Sequence, residues 1–87
     1  MTTIDNVLEQ RGNRYGEYMD VSDKSQQMKD LFRAAPSWQT MDSDMRESLD
    51  LIANKLSRII NGDPYYDDSW RDISGYATLV LQRLEKL

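Results

Sequence analysis

Apolar residues recur along this chain with the three-to-four spacing of helices, and no segment shows the strict alternation of a half-buried strand. The widest stripe lies in residues 43–61, where Met45, Leu49, Ile52, Ala53, Leu56, Ile59 and Ile60 share one face and predict a long amphipathic helix. Gly62 and Pro64 end it, since proline cannot continue a helix and glycine tolerates the turn. The acidic start Asp67-Asp68-Ser69 suits the positive end of a helix dipole. From there Trp70, Ile73, Ala77, Val80, Leu81, Leu84 and Leu87 predict a second core-facing stripe, on a helix that runs to the end of the sequence.

The first half is less regular. Thr2 and Thr3 are candidate caps for a short helix carrying Ile4, Val7 and Leu8, which is expected to end near Gly12. Residues 11–20 hold two glycines, two arginines and two tyrosines without apolar periodicity, and they read as an ordered loop or a broken turn. A helix over 21–33 follows, with a narrow stripe of Met28, Leu31 and Phe32 that suggests a peripheral position. Ala35 before Pro36 is biased out of the helical region, so the helix stops there; Trp38 is expected to plug the connection against the core. Asp42 or Ser43 is the cap expected for the long helix. The pattern as a whole predicts one all-α domain over residues 1–87. It would be a small bundle of about four helices with a long antiparallel C-terminal hairpin.

Composition narrows the chemistry. The chain has 87 residues, with 15 acidic against 11 basic side chains, a net charge of -4 and no histidine or cysteine. Without those two residues there is no disulfide framework, thiolate nucleophile or imidazole base, so any reaction falls to carboxylates, lysine, tyrosine or a hard metal. Lys and Arg are nowhere dense enough to track a phosphate backbone, so direct nucleic-acid binding is not expected. No leading segment has the form of a secretion signal, and the longest apolar run, Leu79 to Leu81, is far too short to span a bilayer. A cytoplasmic protein with no membrane partner is expected. A core of this size is close to the limit at which a second subunit completes burial, which makes a homo-oligomer the expected state.

Several polar residues are not required by the core. Glu47 and Asp50 lie three apart on the third helix, and Asp68 and Asp72 lie four apart on the fourth, spacings at which carboxylates can share a divalent cation such as magnesium. The plainer account makes Asp68 a helix cap and the others solvated or ion-paired charges. Lys55 and Arg58 would suit a phosphate group, or would pair with Asp68 and Asp72 across the hairpin. Tyr76, beside Gly75, would stack on a base, or sit at the core edge with its hydroxyl on a carboxylate. The segment 11–18, with Arg11, Arg14, Tyr15 and Tyr18 between glycines, has the ingredients of a nucleotide lid but not the spacing of a phosphate-binding loop. The leucines Leu51 and Leu79 point away from the core stripes, which suggests that this surface is covered.

These residues form a pattern: Arg11-Gly-x-Arg14-Tyr15-Gly16, then Lys55-x-x-Arg58, Gly62, and Asp68-x-Trp70-x-Asp72-x-x-Gly75-Tyr76. It resembles a family of small all-helical phage and prophage proteins of unassigned function. More distantly, over the last two helices, it is similar to nucleotide-modification-associated domains and MazG-like all-α nucleoside triphosphate pyrophosphatases. The distant likeness implies a magnesium site formed by Glu47, Asp50, Asp68 and Asp72. It departs from the pyrophosphatase pattern in that Asp50 replaces a glutamate, Asp68 and Asp72 are four apart where three is usual, and Asn54 stands where a further acid would help. The expectation is a binder of a nucleotide or nucleotide-like ligand, with Lys55 and Arg58 on phosphate, Tyr76 or Tyr15 on the base and Arg14 nearby. If active, it would be a magnesium-dependent pyrophosphohydrolase in the host cytoplasm. The rival expectation is a non-catalytic module that binds a host or phage protein through Leu51, Leu79 and neighbouring charges.

Overall fold

Where the apolar stripe is widest the helix forms as the spacing predicts: α3 covers Ser43–Asn61. The computed structural model describes residues 3–87, and three further helices surround it: α1 (Thr3–Tyr15), α2 (Tyr18–Ala34) and α4 (Asp67–Leu84), with a 3-10 turn at Trp38–Thr40. There is no strand among the described residues, and the all-α reading holds. A capping role for Thr2 lies outside the described residues. α3 is central: α2 packs along one flank, α4 along the other, and α1 lies against α2 and α3. The result is a layer of helices measuring 51 × 27 × 22 Å.

The α2–α3 contact is made of small side chains that allow close approach. Val21 and Ser25 on α2 and Ala53 and Ser57 on α3 are all buried, and the Ser57 hydroxyl donates to the Val21 carbonyl. As the pre-proline bias predicts, α2 stops at Ala34, with Ala35 extended at ψ 139°. Trp38 then folds back, buried and stacked on Phe32 with ring centroids 5.9 Å apart. Arg33 lies over the indole at 5.3 Å and bonds Asp50 of α3 at 3.1 Å, tying the connection down.

Three boundaries differ from expectation: the end of α1, the start of α2 and the end of α4. The helix of the first segment does not end at Gly12 but continues to Tyr15, and the segment read as a loop shrinks to Gly16 and Glu17. The left-handed exit belongs to Gly16, with φ 87°, whose N–H bonds the Gly12 carbonyl at 2.8 Å. The turn is set there because a Cβ on Gly16 would collide with the Asn61 carbonyl of α3, so the glycine is needed where the two helices meet and not four residues earlier. At the other end of the chain, α4 stops at Leu84 rather than reaching Leu87.

The hairpin has one register. Lys55 Nζ meets Asp72 at 2.9 Å, and Arg83 meets Asp44 at 2.6 Å, so at both places the paired residue numbers have the same sum, as an antiparallel pair requires. This register corrects the expected core of α4. To bring Asp72, Tyr76 and Arg83 toward α3, the helix is rotated so that Ser69 is buried and Ile73, Tyr76 and Val80 are half-buried. Trp70, Ala77, Leu81, Leu84 and Leu87, expected inside, are exposed. Trp70 packs only at its edge, its indole N–H donating to the Pro64 carbonyl at 2.8 Å.

Arg83 also bonds Asp42 at 2.8 Å, which occupies the carboxylate of the N-cap residue and explains why it makes no capping bond of its own. Its guanidinium, hydrogen-bonded to Asp44, holds that carboxyl below its usual value of 3.8. A carboxyl with a depressed folded-state pKa stabilises the fold above its unfolded value, and that contribution is lost as the pH falls through the lower folded one. Acid unfolding of Arg83→Gln, followed by circular dichroism, should therefore begin at a higher pH than that of the wild type, and the two should differ least below both values, where Asp44 is protonated in each.

Candidate functional site

Where the end of α1 crosses the start of the α3–α4 connection, two glycines permit a backbone-to-backbone contact. A Cβ on Gly62 would run into the Arg14 carbonyl and the Tyr15 backbone, just as one on Gly16 would meet Asn61. The Asp63 N–H closes the contact on the Arg14 carbonyl at 2.7 Å. This junction brings Tyr15 edge-on to Tyr66, with centroids 5.9 Å apart. Helical spacing then sets Arg11 and Arg14 on the same end of α1 as Tyr15.

Three guanidiniums gather on the two rings. Arg58 of α3 lies 4.6 Å and Arg11 5.2 Å from the Tyr15 centroid, and Arg14 lies 4.9 Å from that of Tyr66. Such contacts hold a cation without neutralising it. Among the described residues no carboxylate is within ion-pair distance of any of the three, whereas Arg33, Lys55, Arg71 and Arg83 are all paired with aspartates. Beside them opens a cleft of about 480 Å³, lined in part by Arg11, Tyr15, Gly16, Tyr18, Asn54 and Arg58. That volume falls within the range of small-molecule sites. The Tyr66 hydroxyl donates to Asp68 at 2.9 Å; this bond, with some desolvation, pushes the phenol above its usual value, so it stays a neutral donor.

The residues singled out from the sequence do not form one site. Arg14, Tyr15 and Arg58 come together at this junction. Lys55 does not join them, since its ammonium turns to α4 and Asp72. Tyr76, half-buried on α4, does not line this cleft. Within the chain nothing explains Gly75: there is open space where its Cβ would be. Tyr66 and Asn54 were missed as site residues. The doublet Tyr65-Tyr66 beside Pro64 was the only local signal for the first, and partnership with α1, a contact distant in sequence, is what makes it matter.

A magnesium centre needs oxygen ligands that converge on one point. Here Asp50 is bonded to Arg33 of α2, Asp72 to Lys55, and Asp68 to Arg71 at 2.6 Å and to the Tyr66 hydroxyl, while Glu47 is exposed on α3. In the hairpin register Asp68 lies opposite Ile59, twelve residues and about 18 Å along the axis from Glu47. Among the described residues no group of three or more acids is placed to hold a metal ion, so the four acids do not fit a magnesium centre within one chain. No helix is long and apolar enough to cross a membrane. No protein-family model, no curated protein and no solved structure matches this chain.

Proposed function

We propose that the protein binds a small phosphorylated ligand, a nucleotide or a close relative, in the cleft between α1 and α3. The observation that carries this reading is the pair of guanidiniums, Arg11 and Arg58, held over the Tyr15 ring where all three line a ligand-sized cavity, with Arg14 over Tyr66 at the junction beside it. Arginine forks match phosphate oxygens in pairs, and rings that hold the forks in place reduce the entropy lost when an anion binds. Because Tyr15 already carries two guanidiniums, its role is to order them. The more exposed Tyr18, on the cleft wall, is the ring free to meet a base or another flat group. The proposal is of binding alone, since three of the four acids that a pyrophosphohydrolase relative would place on magnesium are held in separate ion pairs.

Thermal melts test it. A ligand that binds only the folded state at about a hundredfold its dissociation constant adds about 2.7 kcal/mol. For a domain of this size that is a rise on the order of 10 °C or more. A panel of nucleoside triphosphates, monophosphates and inorganic pyrophosphate, with and without magnesium, should raise the midpoint in proportion to the logarithm of ligand concentration. Arg58→Ala should melt near the wild-type temperature and lose that rise. No shift across the panel, or an equal shift in Arg58→Ala, would remove the cleft from consideration. A second reading, that of a protein-interaction module, is favoured by a different surface, the apolar side of the α3–α4 hairpin.

A further inference from the structure

The exposed residues of α4 form a seam. Trp70, Ser74, Ala77, Leu81 and Leu84 succeed one another at alternating spacings of four and three residues, and every one of them is exposed. This is the spacing with which a helix meets another helix along its length. On α3, Met45, Leu49, Ile52 and Leu56 repeat the same spacing and are only half-buried, and Ile60 beyond them is exposed. Helical geometry places the ion pairs Lys55–Asp72 and Arg83–Asp44 along one side of the hairpin seam and both apolar stripes along the other. The two helices thus present one continuous apolar face, directed away from the arginine and tyrosine cleft.

The exposed surface has the size of an interface. The chain has 6290 Å² of accessible surface, whereas a monomer of 10.2 kDa is expected to have about 5,300 Å². The excess, roughly 1,000 Å², is close to the ~800 Å² that each partner hides in a standard interface. The radius of gyration of 15.1 Å, against about 12 Å for a rounded domain of this length, gives the same picture of a layer lacking its other half. We propose that the missing half is a second copy of this chain, with two α3–α4 hairpins packed face to face into a four-helix bundle about a two-fold axis. The seam on α4 is self-complementary in size. Its bulky residues stand at the two ends and Ser74 and Ala77 in the middle, so an antiparallel pairing sets Trp70 of each chain against Leu81 of the other and lets the helices approach at the axis.

Sedimentation equilibrium of the full chain measures this directly. The wild type should have twice the 10.2 kDa chain mass at micromolar concentrations, and Leu81→Glu should have the mass of one chain with its helical circular dichroism retained. Leu79→Glu makes the same charge change at another exposed leucine of α4, away from the seam, and should keep the mass of two chains. Should Leu81→Glu fail to fold, wild-type melting over about a hundredfold range of protein concentration decides: a midpoint that rises supports the assembly, and a constant one overturns it. A wild-type mass other than two chains, or a Leu81→Glu variant that remains paired, also overturns it.

Discussion

Gly62→Ala is expected to lift α1 off the rest of the protein and, with it, to abolish the ligand binding proposed for the cleft. The alanine Cβ would be placed inside the Arg14 carbonyl and against the Tyr15 backbone, and backbone atoms, unlike the end of a side chain, have nowhere to go unless the whole helix moves. The same movement breaks the Asp63 N–H bond to Arg14 and pulls Tyr15 from between Arg58 and Tyr66. Collisions with a packed backbone fall at the upper end of overpacking effects, so a loss of about 3 kcal/mol is expected. Hydrogen exchange should show where it falls: the amides of α1 should lose protection while those of α3 keep it. A variant that melts like the wild type and protects α1 would show that this contact is not what holds α1 down.

Trp38→Ala is the second large effect, and it acts at the opposite end of the molecule. Among the described residues Trp38 is the only large aromatic that is buried, and it is stacked on the Phe32 ring under the Arg33 guanidinium. Removing it deletes the stacking and leaves a void that the short 3-10 turn cannot close, a change that typically costs about 3–5 kcal/mol. Few other fully buried apolar side chains stabilise a chain of this length. The midpoint in urea should therefore fall by much of its value, and a loss of unfolding free energy of less than about 1 kcal/mol would mean that the turn collapses onto Phe32.

These variants locate what was readable in the residues. α3 follows from its stripe to the residue, the stop at Ala34 follows from Pro36, and burial of Trp38 follows from its place in a short connection, because each is governed by neighbours in sequence. The end of α1 was misplaced for a related reason. Gly12 and Gly16 are equally good local candidates for a left-handed exit, and only the Asn61 carbonyl, far away in the chain, selects the second. Arg14, Tyr15 and Arg58 meet at one junction, but their separation from Lys55 and Tyr76 depends on which way each helix is turned.

Periodicity along the chain therefore determined that the protein is helical, where its long helices lie and that the last two pair as a hairpin, because apolar spacing and helix-breaking residues act over a few positions. Rotation of those helices was decided only in three dimensions. Lys55 and Arg83 find Asp72 and Asp44 across the hairpin, and satisfying these pairs turns the apolar stripe of α4 outward and leaves Arg58 facing α1. A charge needs a partner wherever the partner lies in the sequence, and no spacing rule records that distance.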